Sequence, residues 1–219
     1  DRSSSLVKLT DAQRAATRHG AFIQHADRFD ASLFSVSPAE AIEMDPQQRL
    51  LLEVGHQALS GSGYDRSHLM GSRIGVFLGA ERPDWSFVRA AHPKQESVFA
   101  VTADTMSVAA GRVSFVFGLH GPCMSVDAAC AAGLVAKHCA VRAQANNECA
   151  AALVSSATLK LWPRTTFGVA AAGMISPQGR CKTFDARANG FVRAEAVVSV
   201  VLASDPRYGG DVARGSAVM

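Results

Sequence analysis

The stretch PCMSVDAACAAGLVAKHCAVRAQANN, residues 122–147, holds the turning point of this chain. Residues 122–127 are a short apolar run that reads as a strand ending at Asp127, and residues 130–147 read as an alanine-rich helix. At the junction, SVDAACAAGL (125–134) displays one cysteine, Cys130. A cysteine at a helix N-terminus lies beside unpaired backbone N–H groups and the positive end of the helix dipole, and both favour the nucleophilic thiolate. Those N–H groups can also stabilise an oxyanion formed when the thiolate attacks a thioester or amide carbonyl. The small neighbours Ala128, Ala129, Ala131 and Ala132 allow a tight turn and close approach of a substrate. The competing reading makes Cys130 a small buried residue in an alanine-rich core, where free cysteine is common.

Around this junction, strands alternate with helices. Ser37-Pro38 with Glu40 is a helix start, and Asp45-Pro46 repeats the signal before a longer helix in which Leu51, Val54, Ala58 and Leu59 recur at helical spacing until Gly61 and Gly63. RIGVFLGA (73–80) reads as a glycine-bounded strand, 81–97 as a polar loop, and 102–118 as a buried helix. AALVSS (151–156) and the β-branched run VVSVVLA (197–203) read as strands, with turns and a short helix between them. The pattern predicts one α/β domain with buried sheet strands.

Composition excludes several classes. The chain has 219 residues, 48% hydrophobic and 19% charged, with a net charge of +3, and its Lys and Arg are scattered singly, which argues against nucleic acid as a partner. Its longest apolar stretch, 194–203, is broken by Glu195 and falls short of the ~20 residues a membrane-spanning helix needs. Cys123, Cys130, Cys139, Cys149 and Cys181 are odd in number and lack CxxC spacing, so the expectation is thiols in a soluble, reducing compartment such as cytoplasm or organelle stroma, with no metal site. A thiolate catalyst normally needs a histidine. His138 lies about two helical turns beyond Cys130, His120 precedes the strand, and His19, His25, His56, His68 and His92 occupy polar or helix-surface contexts, so no Cys–His pair is evident. Cys139 and Cys149 read as core filler, Asp185 and the Asn189-Gly190 turn as loop-fixing, and Glu195 as an anchor with a buried partner.

The ordered segments FDASLFSVSPAEAIEMDPQQRLLLEVGHQAL, GSRIGVFLGA, SVAAGRVSFVFGLHGPCMSVDAACAAGLVA, GMISPQGRCKTFDARANGFVRAEA and RGSAV resemble the β-ketoacyl synthase domain of type I polyketide synthases. MDPQQRLLLE and GRCKTFDA are the most specific of these. The resemblance implies a thiolase-like fold, layered αβαβα and usually homodimeric, with residues 1–219 forming roughly its N-terminal half without the first strand. It also implies that Cys130 accepts an acyl chain from the phosphopantetheine arm of an acyl carrier protein. The resulting thioester then condenses with a malonyl-type extender after decarboxylation, and no cofactor is bound. The family's two catalytic histidines belong to its C-terminal half, so the rest of the domain or a partner chain would supply them. The chain departs from the family pattern in several places. Ala131, Ala132 and Gly133 replace serines after the cysteine, Ala128 replaces a threonine, Ser155-Ser156 stands for a glycine pair, and Ala194-Glu195-Ala196 stands for Gly-Glu-Gly. These departures motivate an alternative, a catalytically inactive ketosynthase-derived structural or interaction subunit. A cysteine hydrolase is disfavoured, because the chain places no histidine for it.

Overall fold

The computed structural model describes residues 9–92, 97–205 and 210–218, with 204–205 and 210–218 as backbone only. Its centre is a five-stranded sheet of β2 (Ile74–Ala80), β3 (Cys123–Val126), β4 (Ala151–Thr158), β6 (Ala196–Asp205) and β7 (Gly210–Val218), in the order β3-β2-β4-β6-β7. β2 runs parallel to β3 and β4, whereas β6 is antiparallel to β4 and β7 antiparallel to β6. Every residue of β2 is buried, as expected of a strand covered on both faces. Strand periodicity then divides the side chains between two cores. Ile74, Val76, Leu78, Leu153 and Val201 pack with residues of α3 (Pro46–Gly61) and α6 (Met106–Phe117). Phe77, Ala152, Val154 and Leu202 pack against Ala136, Ala140 and Ala143 of α7 (Ala132–Ala145). The sheet is therefore the middle of three layers, the α/β/α part of the expected thiolase-like arrangement.

The α3 start explains why a polar run such as MDPQQR is folded inward. Asp45 caps the helix by accepting from the Gln47 N–H at 2.7 Å, and its own N–H reaches Ala103 O at 2.8 Å. Gln47 Oε1 accepts from the Leu159 N–H at 3.1 Å, and Gln48 Nε2 donates to Thr102 O at 3.3 Å. Arg49 donates twice to Met44 O, through Nε at 3.0 Å and Nη2 at 2.8 Å. Asp45, Gln47 and Gln48 are all buried, and together they tie two loops to one helix end, the Thr102–Ala103 loop through Asp45 and Gln48 and the Leu159 loop through Gln47. Buried polar side chains are tolerated here because they are partnered.

Most predicted elements are present. α2 (Pro38–Glu43) begins at the Ser37 cap, and α8 (Pro163–Ala171) is the short helix expected between the later strands. The expected polar loop at 81–97 is corrected: residues Trp85–Ala91 form α5, while 93–96 lie outside the described residues. No side chain caps α5, so tertiary contacts anchor it. Trp85 Nε1 donates to Glu43 O at 2.7 Å, and buried Asp84 accepts from Trp162 N at 3.3 Å and Thr165 Oγ1 at 2.8 Å. The helix expected over 102–118 is shorter, because 98–103 forms turns before Thr105 leads into α6. The ambiguous opening contains α1 (Asp11–Ala16), with a reciprocal cap between Thr10 and Gln13, and β1 (Gly20–Ala21). β1 pairs with β5 (Arg193–Ala194), and α4 (Arg66–Leu69) is one further turn capped by Asp65.

At the C-terminal end of β2 the sheet touches α7 through backbone alone. A Cβ built on Gly79 would lie 2.5 Å from Ala132 O and 2.6 Å from Gly133 N. Neither neighbour is a side chain that can swing away. Gly79→Ala is expected to destabilise the fold by about 1–3 kcal/mol, the usual scale of overpacking, as read from urea unfolding; an unchanged midpoint would contradict this packing. Asp45 makes a second prediction. Burial raises its carboxyl from the ordinary 3.8 to about 6, against the lowering effect of the Gln47 bonds. The folded state therefore holds this proton more tightly than the unfolded chain, and that contribution is lost as pH rises through about 6. Relative to the parent, Asp45→Asn should gain stability between pH 4 and pH 7, by on the order of 1–3 kcal/mol. Parallel stability profiles for the two proteins would refute it.

Candidate functional site

Cys130 sits on a turn between β3 and α7. β3 ends at Val126, and Asp127 Oδ1 accepts the Ala129 N–H at 3.0 Å, folding the chain back on itself. Ala129 adopts φ of 49°, a left-handed conformation that costs an L-residue roughly 1–2 kcal/mol. Residues Ala129–Ala131 form a single 3-10 turn closed by Ala131 N–H to Ala128 O at 3.0 Å. The α-helix begins only at Ala132, two residues later than the sequence suggests. The reason is local: the left-handed residue and the tight turn come before regular helical geometry can start. No side chain caps either the turn or α7.

The thiol is free and, among the described residues, exposed, and it joins neither of the cores that flank the sheet. Cys149 is buried and Cys139 is partly buried against the α7 core, as expected of filler. Burial pushes the thiols of Cys123 and Cys149 up, away from thiolate. The alanines around Cys130 leave its approach open, while Ala132 alone among them is buried.

No hydrogen bond joins Cys130 to a histidine among the described residues. His120 precedes β3, whereas Cys130 follows it, so the strand separates them; the His120 N–H binds Ser72 O at 2.8 Å. His138 is exposed two turns along α7, and His68 pairs with Asp65 at 2.9 Å. His56, expected in a polar or helix-surface context, lies half-buried on α3, where it stacks on Phe117 at 6.4 Å and meets Phe34 edge-on at 6.1 Å. Among the described residues no group of three or more His, Cys, Asp or Glu side chains could hold a metal ion.

A charged cluster that sequence reasoning missed, except for Glu195, gathers where β2 and β4 end. Lys160 Nζ donates to Glu81 and to Thr158 Oγ1, the latter at 2.6 Å. Burial pushes the Glu81 carboxyl up, but its bonds to Lys160 and Thr158 and the nearby charges of Lys160 and Arg193 hold it below its ordinary value. Glu195 accepts from Ile23 N at 2.9 Å and Lys160 N at 2.8 Å, and is thus the expected anchor. Arg193 is 9% exposed, and its Nε and Nη2 find no partner among the described residues. The signal available in the sequence is only charge within apolar surroundings, which does not say which charges meet.

The departures from the family pattern are accommodated. Ser155 Oγ and Ser199 Oγ share a buried hydrogen bond of 2.8 Å, and Ser156 Oγ donates to Gly79 O at 2.8 Å. Neither Ala194 nor Ala196 has a positive φ, so glycine is not required there. Asp185 accepts from Arg187 N at 2.8 Å and pairs with its guanidinium at 2.7 Å, a loop-fixing role. A cavity of about 580 Å³ lies elsewhere, between the 33–36 loop, α3, α4 and α6, and draws no lining residue from the Cys130 turn or α7.

Among the described residues, no helix is long and apolar enough to cross a membrane. The sequence model for "Beta-ketoacyl synthase, N-terminal domain" matches residues 3–207. One component of the phenolphthiocerol/phthiocerol polyketide synthase of Mycobacterium tuberculosis is 40% identical over 211 residues, which is 94% of this chain and 14% of that protein. The spectinabilin polyketide synthase system protein NorC of Streptomyces orinoci is 42% identical over 177 residues, 81% of this chain and 8% of its own length. Among solved structures, the ketosynthase from module 6 of the bacillaene synthase of Bacillus subtilis 168 superposes with a TM-score of 0.75 at 32% identity, covering 86% of this chain and 32% of that one. The oxazolomycin ketosynthase domain OzmH KS7 of Streptomyces albus JA3453 gives 0.78 at 26% identity, over 89% and 37% of the two chains. The chain thus spans about a third of these ketosynthase structures and a small part of the synthases, and the layered α/β/α half-fold is the thiolase-like fold of those domains. With the family model covering residues 3–207 and the fold shared with solved ketosynthases, the chain belongs to the β-ketoacyl synthase family, in the ketosynthase domains of polyketide synthases.

Proposed function

We propose that Cys130 is the acyl acceptor of a ketosynthase. Its thiolate attacks the thioester carbonyl of an acyl chain carried on the phosphopantetheine arm of an acyl carrier protein. The tetrahedral intermediate collapses, the arm leaves as its thiolate, and the acyl group remains on Cys130. Decarboxylation of a malonyl-type extender on a carrier protein then supplies a carbanion equivalent. This attacks the Cys130 thioester, forms the carbon–carbon bond and releases the thiolate. One observation carries this reading: Cys130 is an exposed thiol on a sharp turn at the start of α7. The small neighbours leave room for a pantetheine thioester, and the N–H groups at the uncapped end of α7 suit a developing oxyanion. The partners of this chemistry are an acyl carrier protein and the rest of the ketosynthase domain, in the family's homodimer, or a partner chain that supplies histidines.

Incubating the full-length protein with an acyl-pantetheine thioester, followed by peptide mass spectrometry, should place the acyl mass on the peptide bearing Cys130. Cys130→Ala should abolish it, whereas Cys123→Ser and Cys181→Ser, at the other two exposed thiols, should leave it. Acylation that persists in Cys130→Ala would overturn the assignment. Absence of acylation at any cysteine would favour the inactive structural subunit. Residues 1–219 alone are expected to form no condensation product from acyl and malonyl carrier substrates, and measurable carbon–carbon bond formation would refute that.

A further inference from the structure

Three residues meet beneath the Cys130 turn where only one of them has room for a side chain. Gly79 and Ser156 are register partners on β2 and β4. Gly79 carries no Cβ because the α7 backbone occupies that space, with Ala132 O at 2.5 Å from where the atom would lie. Ser156 faces α7 from β4, and a carbonyl oxygen can only accept, so the 2.8 Å bond to Gly79 O uses the one proton of the serine hydroxyl. On the helix, a Cβ at Gly133 would stand 3.3 Å from Ser156 Oγ and 3.4 Å from Ser156 Cβ. A methyl group at 133 would press closely on the hydroxyl at 156, which its bond to Gly79 O holds in place. Gly133 is three residues past Cys130, in the first turn of the helix that fixes the position of the thiol.

We infer that Ser156 is a positioning residue for Cys130 and that Gly133 is its close-packed counterpart. The hydroxyl ties the end of β4 to the end of β2 and forms the floor on which the first turn of α7 rests. Having donated its proton to Gly79, the oxygen offers only lone pairs toward that turn, where backbone N–H groups lack side-chain caps. The inference rests on the nucleophile reading of Cys130 only for its functional half.

The test is a swap in the full-length protein: Gly133→Ser, Ser156→Gly and the pair together, with Ser156→Ala as a milder control that keeps the Cβ. Two quantities are read, the midpoint of thermal unfolding and the second-order rate of Cys130 alkylation by iodoacetamide as a function of pH, well below that midpoint. Gly133→Ser alone should lower the midpoint and slow Cys130 alkylation about tenfold, since thiol reactivity follows thiolate character and access, both set by the turn that presents the sulfur. Adding Ser156→Gly should return both to within about threefold of the parent rate and close to its midpoint, a coupling expected of residues in contact. Ser156→Ala should slow Cys130 alkylation with little loss of stability. Additive single effects would overturn the pairing. A coupled change in unfolding with an unmoved alkylation profile would overturn the positioning role. An inert Cys130 in the parent protein would instead overturn the nucleophile reading, and the unfolding cycle would still decide whether 133 and 156 are paired.

Discussion

The contact between the β2 backbone at Gly79 and the first turn of α7 governs the geometry of the whole site. Strands pass their positions to one another through fixed hydrogen-bond register, so the end of β2 is set by β3 on one side and β4 on the other. When that strand end touches a helix backbone directly, with no side chain between, the helix inherits the precision of the sheet. The thiol of Cys130 rides on the turn leading into that helix. The five strands, the buried α3 start and the paired serines at the end of β4 all bear on where one sulfur atom sits.

Much of this is legible in the sequence wherever local signals and burial agree. β2 is an unbroken apolar run bounded by glycine, α3 combines a cap, a proline and helical spacing, and the β3–α7 junction changes period at Asp127. That change of period is what marks the cysteine. What escapes is whatever depends on partners distant in sequence. α5 lacks a side-chain cap and exists because Trp85 reaches Glu43 and Asp84 reaches Trp162 and Thr165, contacts no window of neighbouring residues reveals. The turn at Cys130 is hidden for another reason. Left-handed backbone is normally announced by glycine or asparagine, and here an alanine adopts it, held by Asp127 and by the strand and helix on either side.

The charged cluster at the ends of β2 and β4 has a similar origin. Glu81, Lys160 and the Arg193–Glu195 stretch come from three separate segments, and the parallel pairing of β2 with β4 brings the first two together. Two cations and two carboxylates in a partly buried place make a self-compensating group, the form in which ions persist inside proteins. Glu195 shows how: both of its oxygens accept backbone N–H groups, one from Ile23 near β1 and one from Lys160 after β4. The carboxylate fixes the two loops that follow β1 and β4, which is why an acidic residue can stand between two strands.

The inward face of α7 is made of Ala132, Ala136, Ala140 and Ala143. Alanine has no rotatable side-chain torsion beyond its methyl, so this face gives up no rotamer entropy on packing and has none to regain. A helix seated on leucines can shift as its side chains exchange rotamers; one seated on methyl groups has a single way to lie. Thermal motion of the sulfur then comes from the Cys130 side-chain torsion and from the backbone of the turn between Asp127 and Ala131. The helix behaves as a fixed mount, and the freedom left to the thiol is confined to that short turn and to the cysteine's own side-chain torsion.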